Sequence, residues 1–88
     1  MAGKRVKFCY ISNDKKIQNV YLAGDFTDWD RNAILMKKNK LGDWTVIKSL
    51  TPGEHEYKYI VDGRWSLDPK AQTRVNNFGA ENSVIKIE

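Results

Sequence analysis

The sequence predicts an all-β sandwich or barrel, and three observations carry that expectation. Apolar residues recur at every second position through much of the chain, as in Val6, Phe8 and Tyr10 or Tyr57, Tyr59 and Val61. That period lines one face of a strand against a core. Turn formers interrupt the pattern at short intervals, in "SNDKK", "NKLGD", "TPGE" and "VDGR", as they do in small β domains. No segment carries a convincing helical period.

Taken in order, Val6–Tyr10 reads as a first strand, alternating with Lys7 and Cys9, and "SNDKK" as the turn after it. "IQNVYLAG" reads as a second strand ending at Gly24. "DFTDWDRN" is dense in turn formers and is expected to be a loop, although it carries two aromatics. "AILMKK" is a short strand, "NKLGD" a turn and "WTVIKSL" a strand with Trp44, Val46 and Leu50 on one face. "TPGE" follows as a turn in which Pro52 presets its own φ and Gly53 is free to adopt a positive one. "HEYKYIV", the Asp62-Gly63 turn and "RWSL" make a hairpin, broken off at Asp68-Pro69. A polar connector, "KAQTRVNNFGAEN", leads to a last strand, "SVIKIE". The connector is the longest stretch without clear periodicity, and such loops often carry function.

Hairpin chemistry fixes a register. If Asp62 and Gly63 are the two central residues of a type I′ turn, Val61 pairs with Arg64, Ile60 with Trp65, Tyr59 with Ser66 and Lys58 with Leu67. Directly paired residues share a face. Trp65 then stands with Ile60, Lys58 and Glu56, a face marked as the wetter one by its charges, while Tyr57, Tyr59 and Val61 face the core. A one-residue slip would exchange the two faces.

Length and composition narrow the class. Eighty-eight residues make one small domain, residues 1–88, because a chain of this size buries only a little over ~60% of its unfolded surface. With 41% hydrophobic and 30% charged residues, neither wholesale disorder nor a membrane protein is expected. The start, "MAGKRVKFCY", is too charged for the apolar part of a secretory signal, so the cytoplasm is the expected location. A single cysteine, Cys9, and a single histidine, His55, exclude an internal disulfide and a Cys/His zinc site. The net charge of +4 is spread in short basic groups interleaved with acids, the pattern of a solvated surface rather than a polyanion track.

The aromatics point to a binding surface. Trp44 fits a core role. Trp29 lies in a loop between Asp28 and Asp30, where its large ring is hard to bury, and Trp65 shares a face with charges. Two tryptophans pushed toward solvent make a platform for a flat, weakly polar ligand. Sugars stack their C–H faces on such rings and bond their hydroxyl rims to amides, ammonium groups and carboxylates. Lys58, Asn76, Asn77 and Asn82 supply such groups. Nucleic-acid bases also stack, and Lys58 could meet a phosphate. The residues alone therefore leave a carbohydrate binder level with a small single-stranded nucleic-acid binder of the OB type.

Catalysis and metal binding have little support. Asp25, Asp28 and Asp30 read as turn formers, since the spacing of a calcium loop is absent. His55 has no evident nucleophile and reads as a surface or half-buried strand residue. Cys9 reads as a small buried apolar group. No cofactor is expected.

The combination of "VYLAGDFTDWD", "LGDW", "TPGEHEYKYIVDGRWSLDP" and "NNFGAENSVIKI" resembles the family 48 carbohydrate-binding modules, especially the glycogen-binding domains of AMP-activated protein kinase β subunits. The resemblance runs in order from Val20 to Ile87. It implies an immunoglobulin-like, early-set β-sandwich that binds glycogen and related α-1,4-linked glucans without catalysis. It makes Trp29 and Trp65 the stacking platforms, and Lys58 and Asn82 the groups that bond sugar hydroxyls. Phe78 stands where the kinase-type domains carry a leucine that projects into the sugar, and Ala80 and Glu81 also depart from the kinase pattern.

The implied partners are glycogen or a malto-oligosaccharide, together with a glucan-active enzyme or kinase subunit; neither a nucleic acid nor a membrane is expected. A catalytic barrel or a subunit-holding segment does not fit in 88 residues, so the expectation is a free-standing glucan binder or an excised domain. The alternative is a protein-interaction sandwich that uses the same patch for a polypeptide.

Overall fold

The computed structural model describes residues 3–88. Met1 and Ala2, where the N-terminal stretch begins, lie outside the described residues. Two antiparallel sheets pack as an immunoglobulin-like β-sandwich. Strand β1 (Lys4–Tyr10), β4 (Lys37–Lys38) and β5 (Trp44–Leu50) form the smaller sheet, in the order β1-β5-β4. The larger runs β3 (Ile34–Leu35), β2 (Val20–Gly24), β6 (Gly53–Val61), β9 (Glu81–Ile87) and β8 (Gln72–Val75), with β7 (Arg64–Ser66) also paired to β6.

The period-two pattern is what holds the sheets together. Phe8 from β1, Trp44 and Leu50 from β5, Val20 and Leu22 from β2, Tyr57 and Tyr59 from β6 and Ile87 from β9 meet between the sheets, with Met36, in one buried cluster. Full burial of such a side chain is worth about 1.5–3 kcal/mol, which is the main resource of a chain lacking disulfide bonds. The two tyrosines bring hydroxyls into this core, and both are satisfied. Tyr57 Oη and Tyr59 Oη donate to Asp68 Oδ2 at 2.7 and 3.2 Å, and the Asp68 amide donates to Ser83 Oγ at 2.8 Å. Burial, reinforced by the Asp68 carboxylate, pushes both phenol pKa values well above the ordinary tyrosine range. Asp68 is therefore more than a strand breaker: it fastens the chain after β7 to the middle of the sheet.

Strand β6 organises the site face. One edge pairs with β2, from Val20↔Val61 to Gly24↔Tyr57. The other pairs with β9 from Gly53↔Ile87 to Tyr57↔Ser83, then with β7. The hairpin has the expected register: Tyr59↔Ser66, Ile60↔Trp65 and Val61↔Arg64. Asp62 and Gly63 have φ of 48° and 84°, the two left-handed positions of a type I′ turn. The hairpin tip is tied down by Asp62, whose Oδ1 accepts from the Asn19 and Gln18 amides at 2.8 and 3.0 Å.

Several boundaries differ from those expected. The second strand starts at Val20 rather than Ile17, because Gln18 and Asn19 spend their amides on Asp62. "AILMKK" is two strands in two sheets, with the chain crossing at the buried Met36, whose amide donates to Val20 O at 2.8 Å. The expected Lys58–Leu67 pairing is absent, since β7 ends at Ser66. The polar connector contains strand β8, an exposed edge strand whose Gln72, Thr73, Arg74 and Val75 offer no apolar alternation. Residues Asp25–Thr27 form a short 3-10 turn. Cys9 is half-buried rather than buried, because it alternates with the inward-facing Phe8 and Tyr10. Ile60, on the face expected to be wet, is only 2% exposed.

Candidate glucan-binding site

The path from β2 to β3 creates the first platform. Gly24 ends β2 in extended conformation, and the chain turns through Asp25–Thr27. Thr27 Oγ1 accepts from the Gly24 amide and donates to the Gly24 carbonyl, both at 3.1 Å. Asp28 and Trp29 then take left-handed φ values of 53° and 60°, a conformation costing roughly 1–2 kcal/mol per non-glycine residue. Two backbone bonds hold it: Trp29 N to Gly24 O at 2.9 Å and Asp30 N to Thr27 O at 3.1 Å. The result turns Trp29 back toward the sheet, where its indole is half-buried.

The β6–β7 hairpin supplies the second platform. Trp65 is 43% exposed. Its ring centroid lies 6.3 Å from that of Trp29, with the two planes inclined by 55°. Arg31 links the two carriers, donating from Nη2 to Gly63 O at 2.9 Å. The tryptophans thus form one faceted surface rather than two separate rings.

Trp29 and Trp65 open onto a cleft of about 530 Å³ that also meets Lys58, Asn82 and Phe78. All five residues singled out in the sequence therefore border one depression. Lys58 is half-buried on β6. Asn82 is only 7% exposed. Its Nδ2 donates to Glu56 Oε1 at 3.0 Å, which leaves Oδ1 as the acceptor available to a ligand. Phe78 is 94% exposed at the tip of the β8–β9 connection, a position that no core requires.

Asp25 and Glu56 also border the cleft, as do Asn76 and Asn77. The amides were expected from the sequence; the structural roles of the two carboxylates were not. Asp25 is an anchor as well as a turn former. Its Oδ1 lies 3.0 Å from His55 Nδ1, and its Oδ2 accepts from the Glu56 amide at 2.9 Å. Glu56 holds Asn82 and lies 3.6 Å from Arg74 Nη1, while Arg74 Nη2 donates to Glu54 Oε1 at 2.7 Å. The Arg74 contacts hold the Glu54 carboxyl below its ordinary pKa and raise that of the guanidinium. Alternation on β6 places Glu56 two residues before Lys58, so its face was legible; its bonds across to β8 and β9 were not.

Among the described residues, no group of three or more His, Cys, Asp or Glu is placed to hold a metal ion, and no helix is long and apolar enough to cross a membrane.

This geometry can be set beside known proteins. Residues 8–88 match the family model described as the glycogen recognition site of AMP-activated protein kinase. Subunit beta-1 of 5'-AMP-activated protein kinase from Sus scrofa is 32% identical over 71 residues, covering 81% of this chain and 56% of that protein. The beta-1 subunit from Bos taurus is 34% identical over the same length and is covered to 25%. The beta-2 subunit from Mus musculus is 32% identical and is covered to 26%. The chain thus spans between a quarter and just over half the length of these relatives. From Phe8 to Glu88 the match takes in both tryptophan carriers, the β6 face and the β8–β9 loop, and the chain belongs to the family of glycogen recognition sites of AMP-activated protein kinase.

Proposed function

We propose that the protein is a non-catalytic module that binds glycogen and other α-1,4-linked glucans through the faceted cleft. The observation that carries this reading is the pair of indoles inclined at 55° with their centroids 6.3 Å apart. An α-1,4-linked chain curves, so successive glucose units present their C–H faces at an angle; inclined platforms suit it better than a flat ribbon. Trp29 and Trp65 stack on the sugar faces, Lys58 donates to hydroxyls, Asn82 accepts from them, and Phe78 closes the free side. Asp25 and Glu56 are engaged by protein donors, a structural use of carboxylates rather than the acid and base pair of a glycosidase.

Membership of the family supports a kinase subunit as the working partner; a glucan-active enzyme in that place, and a cytoplasmic location, belong to the same proposal. The relatives are kinase β subunits much longer than this chain. Delivery of such a partner to a glucan polymer is the consequence of a recognition module that performs no chemistry itself.

Tryptophan fluorescence tests the reading. Malto-oligosaccharide should quench or shift the emission of the exposed indoles with an affinity of about 4–8 kcal/mol, while the buried Trp44 contributes a constant background. Unchanged emission at millimolar sugar, or a stronger response to single-stranded oligonucleotides at low salt, would contradict it.

A further inference from the structure

The loop that carries Phe78 is built around one side chain. Between β8 and β9, Asn76 Oδ1 accepts from the backbone amides of Phe78 and Ala80 at 2.9 and 3.1 Å. The Asn76 amide donates to Ala80 O at 2.7 Å, and Gly79 N to Asn76 O at 3.1 Å. Gly79 takes a φ of 80°, which suits glycine. Four bonds therefore converge on Asn76 and close the loop from Asn76 to Ala80 with Phe78 at its tip.

The side chain is committed at only one end. An amide oxygen has two lone pairs, and both are used. The Nδ2 group makes no hydrogen bond to another described residue, and the half-buried Asn76 borders the same cleft as the tryptophans. It thus offers two N–H donors where Asn82 offers an acceptor.

We propose that Asn76 is a positioning residue of the glucan site with a second, direct role: Oδ1 holds the Phe78 loop in its binding shape, and Nδ2 donates to a sugar hydroxyl. This rests on the glucan-binding reading above. The value of a preset loop is entropic. A phenylalanine 94% exposed on a free loop would have to be ordered by the ligand itself, which reduces affinity. The same asparagine that orders the loop also reads the rim of the sugar.

Substitution separates the roles. Asn76→Asp keeps an acceptor oxygen for the two loop amides but removes the N–H donors; Asn76→Ala removes both. With maltoheptaose as the probe, Asn76→Asp should weaken binding about three- to tenfold, the range of one neutral hydrogen bond. Asn76→Ala should weaken it further. Phe78→Ala should cost affinity in the wild-type and Asn76→Asp backgrounds, yet add less than about twofold to Asn76→Ala, since interacting groups are not additive.

Amide hydrogen exchange without sugar gives an independent reading. The Phe78 and Ala80 amides should be protected in wild type and Asn76→Asp, and exchange fast in Asn76→Ala. Wild-type affinity in Asn76→Asp would overturn the donor role. Full additivity of Asn76→Ala with Phe78→Ala, or unchanged exchange in Asn76→Ala, would overturn the positioning role. If wild type itself ignored maltoheptaose, the glucan reading would fail while the exchange experiment still decided the loop.

Discussion

His55 stands between two acceptors, with Nδ1 3.0 Å from Asp25 Oδ1 and Nε2 2.9 Å from Thr51 O. A neutral imidazole carries one N–H and can serve only one of them; the cation serves both. The Thr51 carbonyl, aided by Asp25 and opposed by partial burial, holds the pKa of His55 above the ordinary imidazole value. A raised folded-state pKa gives a stabilisation that is complete below the unfolded value of ~6.5 and fades as pH rises through the folded one. Asp25 is 43% exposed, so solvent screening weakens its share of the effect and leaves the Thr51 carbonyl the larger cause. Thermal unfolding of wild type and His55→Gln checks this. The Tm advantage of wild type should be larger at about pH 5.5 than at about pH 8.5. An advantage that was constant, or that grew with pH, would show that His55 is held neutral. The bond reaches the site, because Asp25 begins the turn that carries Trp29.

At the scale of elements, the site depends on how closely the β2 end approaches β6. A Cβ added at Gly24 would lie 2.6 Å from Glu56 O and 2.7 Å from the Phe26 ring. The glycine is needed for space and not for its backbone angles, since its φ of −172° is open to any residue. Gly24→Ala is therefore expected to cost about 1–3 kcal/mol of stability, the range for overpacking. It should also weaken glucan binding, because the bonds from Gly24 to Thr27 and Trp29 set the left-handed turn. Urea unfolding and an oligosaccharide titration together measure this. A variant with wild-type stability and affinity would mean that Phe26 yields easily and that the turn does not position Trp29.

The same elements show what the sequence made visible. The β6–β7 register could be read because Asp62-Gly63 is a local signal, and type I′ geometry propagates it to Ile60↔Trp65. Strand β8 could not, because its residues are all exposed and show no apolar alternation, even though it pairs with the next strand, β9, across the short loop of residues 76–80. The break at Met36 was equally hidden: it reflects a change of sheet, and alternation cannot distinguish one sheet from the other.

At the scale of the molecule, the sandwich has two unlike faces on its larger sheet. The inner face gives Tyr57 and Tyr59 to the core. The outer face carries Lys58, Glu56, Asn82 and Trp65, completed by loops at one end. Trp29, Trp65, Lys58, Asn82 and Phe78, the proposed site residues, were singled out in the sequence through exposed aromatics in turns, the hairpin parity and the family resemblance, and they border one cleft. Their support was not. Arg31, the Asp25–His55 pair and the Glu54–Arg74 link act across 20 to 32 residues of sequence, and no local spacing encodes such partners. Ile60 shows the same limit: it shares a face with charges, yet the surrounding structure leaves it 2% exposed.

A domain this small leaves a tryptophan 43% exposed when its core could have used the ring, and the glucan binding proposed above would account for that placement. Co-sedimentation with glycogen, for wild type and Trp65→Ala, addresses that claim directly. Wild type should pellet with the polymer. Trp65→Ala should remain in the supernatant, a loss of at least ~2 kcal/mol as for a central aromatic anchor, while unfolding within about 1 kcal/mol of wild type. A Trp65→Ala protein that still pelleted, or one that lost its fold along with its binding, would contradict the account.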